Sequence, residues 1–219
     1  MPSVWRNAVT DGTATNLTQI NTTSSYTVSF WAKFTGTGDI MRHASTANAA
    51  RDGYGFSFST GELLVRHFTG TGSTNYIASS GGLLLSPTWQ HYAVIYSGGV
   101  LLTFINGEFR NRTVAANAPT ANAACTTTLT PNLTGTFNGN LFDFQMLPNV
   151  AVPVSDVITL MDPRYRHPGV RARWFGLQFP GTGPSSTLRD ESGNNSNLTT
   201  SATGRLFPDV EPPYLPTLA

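Results

Sequence analysis

From Trp89 to Arg112, WQHYAVIYSGGVLLTFINGEFRNR, three apolar runs rich in β-branched and aromatic residues are cut by two glycine-bearing turns. Val94 to Tyr96, Val100-Leu101 and Phe104-Ile105 suit a pleated, half-buried surface. Gly98-Gly99 and Asn106-Gly107 fit two-residue hairpin loops, which require positive φ at their central positions. The stretch predicts a three-strand meander. Tyr26 to Phe34 alternates, with Val28, Phe30 and Phe34 on one face and Thr27, Ser29 and Trp31 on the other. Gly53 to Ser59 alternates aromatic with small residues, and Glu62 to Phe68 answers it across Thr60-Gly61 as a second hairpin. Short strands are expected at Asp39 to Met41, at Tyr76-Ile77 and from Leu129 to Leu133, while Val114 to Thr127 reads as an aperiodic loop. Val152 to Met161 carries Val154, Val157, Ile158 and Met161 as one apolar stripe, which predicts a short helix.

Several of these runs resemble a known family. Trp89-Gln90-His91-Tyr92-Ala93-Val94, a glycine turn and Leu102 to Glu108 resemble the W-x-H-x-A-V signature, with its closing N-G, of laminin-G-like or concanavalin-A-like jelly rolls. Tyr26 to Phe34 resembles that family's opening core strand. Gly139 to Met146 resembles its penultimate signature, with Phe142 standing where the first of two acids is usual and Asp143 as the second. Asp190-Glu191-Ser192-Gly193-Asn194-Asn195 resembles the D-x-S-G-N-G-N motif, which usually opens such domains and here follows one. The resemblance implies an all-β fold: a two-sheet antiparallel jelly-roll sandwich, expected over residues 25–162. Residues 1–24 are expected as an N-terminal arm or irregular first strand. Residues 163–219 are expected as a C-terminal extension, packed on the sandwich or a neighbouring subunit and ending in a Pro-rich arm that can be neither helix nor central strand.

Composition narrows the class. Charged residues make up 11% of the 219, against about 25% in a typical soluble domain, and Thr, Ser, Asn and Gly replace them. A net charge of +1 gives no basic footprint for nucleic acid, so none is expected as a partner. The single cysteine, Cys125, excludes an intramolecular disulfide framework and is expected as a small apolar residue, not a catalytic thiol. The N-terminal stretch MPSVWRNAVTDGT has neither a basic segment nor a continuous apolar one, so no signal peptide is expected. No apolar run approaches a membrane span, and no membrane partner is expected.

The candidate chemistry is sparse. A glycosidase needs two carboxylates about 5 to 10 Å apart across the scissile bond. Glu62, Glu108, Glu191 and Glu211 stand isolated, and no serine lies in a G-x-S-x-G elbow, so no enzyme is expected. His43 and His67 are candidates for a cross-strand metal pair without carboxylate or thiolate support, and His91 is expected as a structural histidine of the W-x-H motif. No cofactor is expected beyond calcium, which the resemblance allows at Asp39, Asp52 and Asp143; the competing reading is that these acids cap turns. Trp5, Tyr54 and Tyr76 are candidates to stack on sugar rings, against burial in an aromatic core.

Two functions compete. The first is a non-enzymatic accessory protein on a virus particle, made in the host cytoplasm: a phage head decoration or tail-associated protein, held to a major capsid or tail protein and expected as a homo-oligomer. Its attachment would run through the terminal arms, with Arg205, Phe207, Pro208, Pro212 and Tyr214 of the C-terminal one as contact candidates, the arms ordering as they bind. The second is a lectin module for host-surface glycans, calcium-assisted or not.

Overall fold

The computed structural model describes residues 4–6, 12–14, 22, 24–34, 37–45, 52–59, 61–70, 73–77, 88–121, 125–129, 139–174, 186–188, 190–195, 197–200 and 206–207. Sixteen strands occur among them. β1 (Val4–Arg6), β2 (Gly12–Ala14), β3 (Ser25–Phe34), β4 (Gly38–Ser45), β5 (Asp52–Ser59), β6 (Glu62–Thr69), β7 (Ser73–Ile77) and β8 (Gln90–Ser97) come first. β9 (Val100–Ile105), β10 (Glu108–Val114), β11 (Cys125–Leu129), β12 (Gly139–Pro148), β13 (Ala172–Trp174), β14 (Ser186–Leu188), β15 (Leu198–Thr200) and β16 (Leu206–Phe207) follow. One 3-10 helix, Val154–Met161, lies between β12 and β13. No helix among the described residues is long and apolar enough to cross a membrane.

The strands form two antiparallel eight-stranded sheets, which establishes the sandwich. One sheet runs β10-β9-β8-β3-β12-β1-β16, with β13 also on β12; the other runs β14-β15-β2-β11-β4-β5-β6-β7. The meander is present as β8, β9 and β10, and the second hairpin as β5 and β6. Both meander turns have their central residues left-handed: Gly98 at φ 56° and Gly99 at 79°, Asn106 at 52° and Gly107 at 78°. This is the geometry that two-residue hairpins need.

One segment differs from expectation. Cys125–Leu129 is strand where a loop was expected through Thr127; Cys125, Thr127 and Leu129 are all buried, so a period-2 pattern hidden in a Thr run forms β11. Residues 1–24, expected as an arm or irregular first strand, and residues 163–219, expected as an extension packed on the sandwich or a neighbouring subunit, supply strands of the two sheets. β1 and β2 come from residues 1–24, and β13 to β16 come from residues 163–219; all six are paired within the two sheets. Phe207 pairs with Val4 in the β16–β1 ladder, whereas Arg205, Pro208, Pro212 and Tyr214 lie outside the described residues.

The core between the sheets is aromatic. Phe30 stacks on Tyr92 (5.4 Å) and on Phe144 (5.3 Å), and Tyr26 stacks on Tyr54 at 4.8 Å. The outer face of the β9-β8-β3-β12 sheet is covered as well. There Val157 of the 3-10 helix packs on Ala93, Ile95 and Phe104, and Trp31 Nε1 donates to the Met161 carbonyl (3.2 Å). Covering both faces of β3 explains why it carries an aromatic on each.

Candidate binding surface

The polar residues of the outer face converge on one buried ion pair. β12 has a bulge between Phe142 and Gln145, and Asp143 there adopts φ 49°. A left-handed residue is uncommon outside glycine, but Asp tolerates it. Phe144 then remains in the core against Phe30, while Asp143 meets Arg173 of β13 in a two-pronged pair: Nε to Oδ1 at 2.6 Å and Nη2 to Oδ2 at 2.8 Å. Gln145 Nε2 donates to Oδ2 at 3.0 Å. Burial pushes the Asp143 carboxyl up to about 6, with the Arg173 guanidinium pulling against it. Phe142, in the place of the family's first acid, is 3% exposed, faces Trp31 across the ladder and takes the Trp89 ring edge-on at 6.5 Å.

Arg173 also reaches outward. Its Nη1 donates to the Tyr165 carbonyl and its Nη2 to the Pro163 carbonyl, both at 2.8 Å. The surface loop 162–171 is therefore pinned from beneath by a buried cation. Tyr165 N donates to Asp162 O (2.9 Å), Val170 N to His167 O (3.0 Å) and Arg171 N to Met146 O (2.9 Å).

Beside this loop the Asp190-x-Ser192-Gly193-Asn194 motif forms a compact turn. Asp190 Oδ1 accepts from the Arg173 and Ser192 amides (2.9 and 2.8 Å), and Oδ2 accepts from the Ser192 hydroxyl (2.6 Å). Asn197 Oδ1 accepts from the Asp190 amide (2.8 Å). Gly193 is left-handed (φ 80°), and a side chain there would stand 3.3 Å from an Arg166 guanidinium nitrogen. The motif thus locks the turn at residues 190–195 to β13 and the residues just before it.

The other sequence candidates do not converge. Asp39 pairs with Ser57, and Asp52 with Thr69, at opposite ends of the β4–β5 ladder. Five residues of β5 separate Asp52 from the Ser57 that Asp39 faces, about 17 Å at the usual rise. Asp143 lies in the other sheet with its carboxylate on Arg173. One ion cannot gather the three. His43 and His67 occupy one cross-strand row but with Tyr54 between them. His43 Nδ1 meets Thr127 Oγ1 at 2.8 Å, whereas His67 donates from Nδ1 to the Asn117 carbonyl (2.6 Å) and takes the Tyr26 hydroxyl at Nε2 (2.8 Å). No cluster of three His, Cys, Asp or Glu occurs among the described residues. Tyr54 and Tyr76 are buried in the core, unavailable for sugar stacking; the side chain of Trp5 lies outside the described residues.

One pair has the spacing of a nucleophile and its base. Ser29 Oγ lies 2.7 Å from His91 Nε2, yet both residues are 0% exposed beneath the 3-10 helix, where no substrate reaches. Burial pushes the His91 imidazole down to about 3, with the Leu160 carbonyl as a smaller opposing influence.

Residues 7–151 match a family model described as the concanavalin A-like lectin/glucanases superfamily. Among solved structures, a candidate carbohydrate binding protein from Bacteroides ovatus ATCC 8483 superposes with a TM-score of 0.66 at 14% identity, over 95% of this chain. The chain spans 60% of that protein's length. A heptameric SAP-like pentraxin from Limulus polyphemus superposes with a TM-score of 0.53 at 16% identity, over 72% of this chain and 80% of its own. The search of curated proteins gives no match.

Proposed function

The chain belongs to the concanavalin A-like lectin/glucanases superfamily, in its laminin-G-like form, and from that premise we propose that it is a non-catalytic carbohydrate-binding module. One observation carries the reading: a family sandwich completed by an outer surface whose loop is fixed in advance by Arg173 and Asp190. A surface ordered before its ligand arrives loses less entropy on binding. The carbohydrate-binding designation of the Bacteroides ovatus neighbour supports the same class, although a shared fold alone does not fix a ligand. A glycan array probed with the intact chain, with calcium and with a chelator, tests it. Selective binding to a glycan family is the expected result. Silence under both conditions overturns it, and loss on chelation assigns calcium a role.

The finer reading places this module on a virus particle, held by a major capsid or tail protein. Its support is compositional: low charge, abundant Thr and Asn, and the Pro-rich segment 208–219. The described parts of residues 1–24 and 163–207 contribute strands to the sandwich, and attachment is proposed through the Pro-rich segment 208–219. Deleting that segment is expected to release the protein from particles; unchanged occupancy rejects the attachment. Assembly into a homo-oligomer is supported by β10, an edge strand that exposes Phe109 and Val114, and sedimentation of the purified chain tests it.

A further inference from the structure

We propose that the glycan is taken at the exposed face of the 162–171 loop, by Tyr165 and Arg166 with Asn194 and Asn195, and that it is a neutral carbohydrate. This rests on the carbohydrate-binding reading above.

Among the described residues two large aromatic side chains are exposed, Phe109 (57%) and Tyr165 (37%). Phe109 leans on Phe104 (5.7 Å) on an edge strand, beside the Glu108–Arg110 ion pair. Tyr165 stands in a surface loop with the His167 ring edge-on at 6.4 Å, and its chain neighbour Arg166 lies against Gly193 of the Asp190-x-Ser192-Gly193 turn. A phenol offers an apolar face to the C–H side of a sugar ring and a hydroxyl to its rim, which a phenylalanine cannot.

The loop is expensive to hold. A buried guanidinium, 4% exposed, is already costly to desolvate, and here two of its hydrogen bonds are spent on the backbone carbonyls of Pro163 and Tyr165. Those bonds fix where Tyr165 stands without touching its side chain. Arg166 lies exposed against Gly193, whose missing side chain leaves room for the guanidinium; exposed Asn194 and Asn195 follow Gly193 in the chain, and Asn194 Nδ2 already donates to the Val170 carbonyl (3.3 Å) and Ser192 Oγ (3.0 Å), so it can serve a ligand only as an acceptor through Oδ1. Planar guanidinium and amide groups supply paired donors and acceptors suited to adjacent hydroxyls.

Charge selects the class. Exposed Arg164, Arg166 and Arg171 are offset by Asp162, exposed Glu191 and buried Asp190, and buried Arg173 is offset by buried Asp143 beneath them, four against four. Arg164 is already paired with Asp162 at 2.8 Å. With no net positive field, a carboxylate or sulfate gains little there, and a ring of hydroxyls loses nothing.

The test uses the intact chain and the array above, carrying both neutral glycans and sialylated or sulfated ones. Wild type is expected to favour neutral glycans; Tyr165→Ala is expected to weaken the best of them by about ten-fold or more, and Arg166→Ala several-fold. Tyr165→Phe, which keeps the ring face but loses the hydroxyl contact, is expected to fall between wild type and Tyr165→Ala. Both side chains are exposed, so thermal unfolding of the variants should match wild type. If wild type binds neutral glycans and Tyr165→Ala binds them equally well, this surface is wrong while the function stands. Preference for the anionic glycans overturns the assigned class. If wild type binds none, the function itself fails, and this inference with it.

Discussion

At Arg173 a single side chain joins the two levels of the outer face. Its guanidinium meets Asp143 below and the carbonyls of Pro163 and Tyr165 above, while its own amide is tied to Asp190. Arg173→Met keeps much of the volume but strands a carboxyl that is 1% exposed, and breaking a buried pair from one side costs about 3 to 5 kcal/mol. Urea unfolding is expected to show that loss. The double variant Arg173→Met with Asp143→Leu is expected to recover part of it, because no charge is then left in the interior. The proposed surface should suffer in both, since the two carbonyl anchors are gone in each. Little of this pair was legible in the sequence. Asp143 is visible there as an acid with calcium as its candidate partner, whereas no motif marks Arg173; a separation of thirty residues hides a contact that only the β12–β13 ladder makes. The Asp190 motif was legible as a motif, but its partner was not.

Elements announced by turn chemistry were the readable ones. The meander could be drawn in advance because Gly98-Gly99 and Asn106-Gly107 supply the left-handed residues that a two-residue loop demands. β1, β2, β13, β14, β15 and β16 have two or three residues each, too few to show alternation, and are strands by virtue of their neighbours in the sheet. The two kinds of glycine separate by experiment. Gly53 has φ 110°, and a Cβ there would lie 1.9 Å from the backbone carbonyl oxygen of His43 in the paired strand. Gly53→Ala must therefore push β4 and β5 apart, and is expected to cost about 3 kcal/mol or more. At Gly98 (φ 56°) nothing lies within 4 Å of an added Cβ, so Gly98→Ala carries only the left-handed penalty, about 1 kcal/mol, and Gly98→Asn close to none. Equal losses at the two positions in chemical denaturation would contradict this account of the β4–β5 contact.

Across the whole molecule, three imidazoles are sealed in the neutral form. Burial pushes His43 and His91 down to about 3 and His67 to about 4, the Asn117 carbonyl opposing it at His67. In the unfolded chain each takes a proton near its ordinary value of 6.5. Between roughly pH 6 and 4 the unfolded state therefore binds up to three more protons than the folded one, and stability falls as pH falls, by about 4 kcal/mol per pH unit. Asp143 acts in the opposite sense. Its folded carboxyl is raised to about 6, above the ordinary 3.8, so the folded state holds the extra proton in that window and returns about 1.4 kcal/mol per pH unit. Three groups outweigh one, leaving a net loss of about 3 kcal/mol per pH unit. Two pH units then remove about 6 kcal/mol, comparable with the entire stability of a typical domain. The sandwich is expected to unfold cooperatively between pH 6 and 4, with the two sheets failing together because His67 is bonded to Tyr26 across them. Urea midpoints measured through that range check it. A flat profile would mean that the imidazoles are not held neutral, and a slope that increases in Asp143→Asn would verify the opposing sign of the carboxyl.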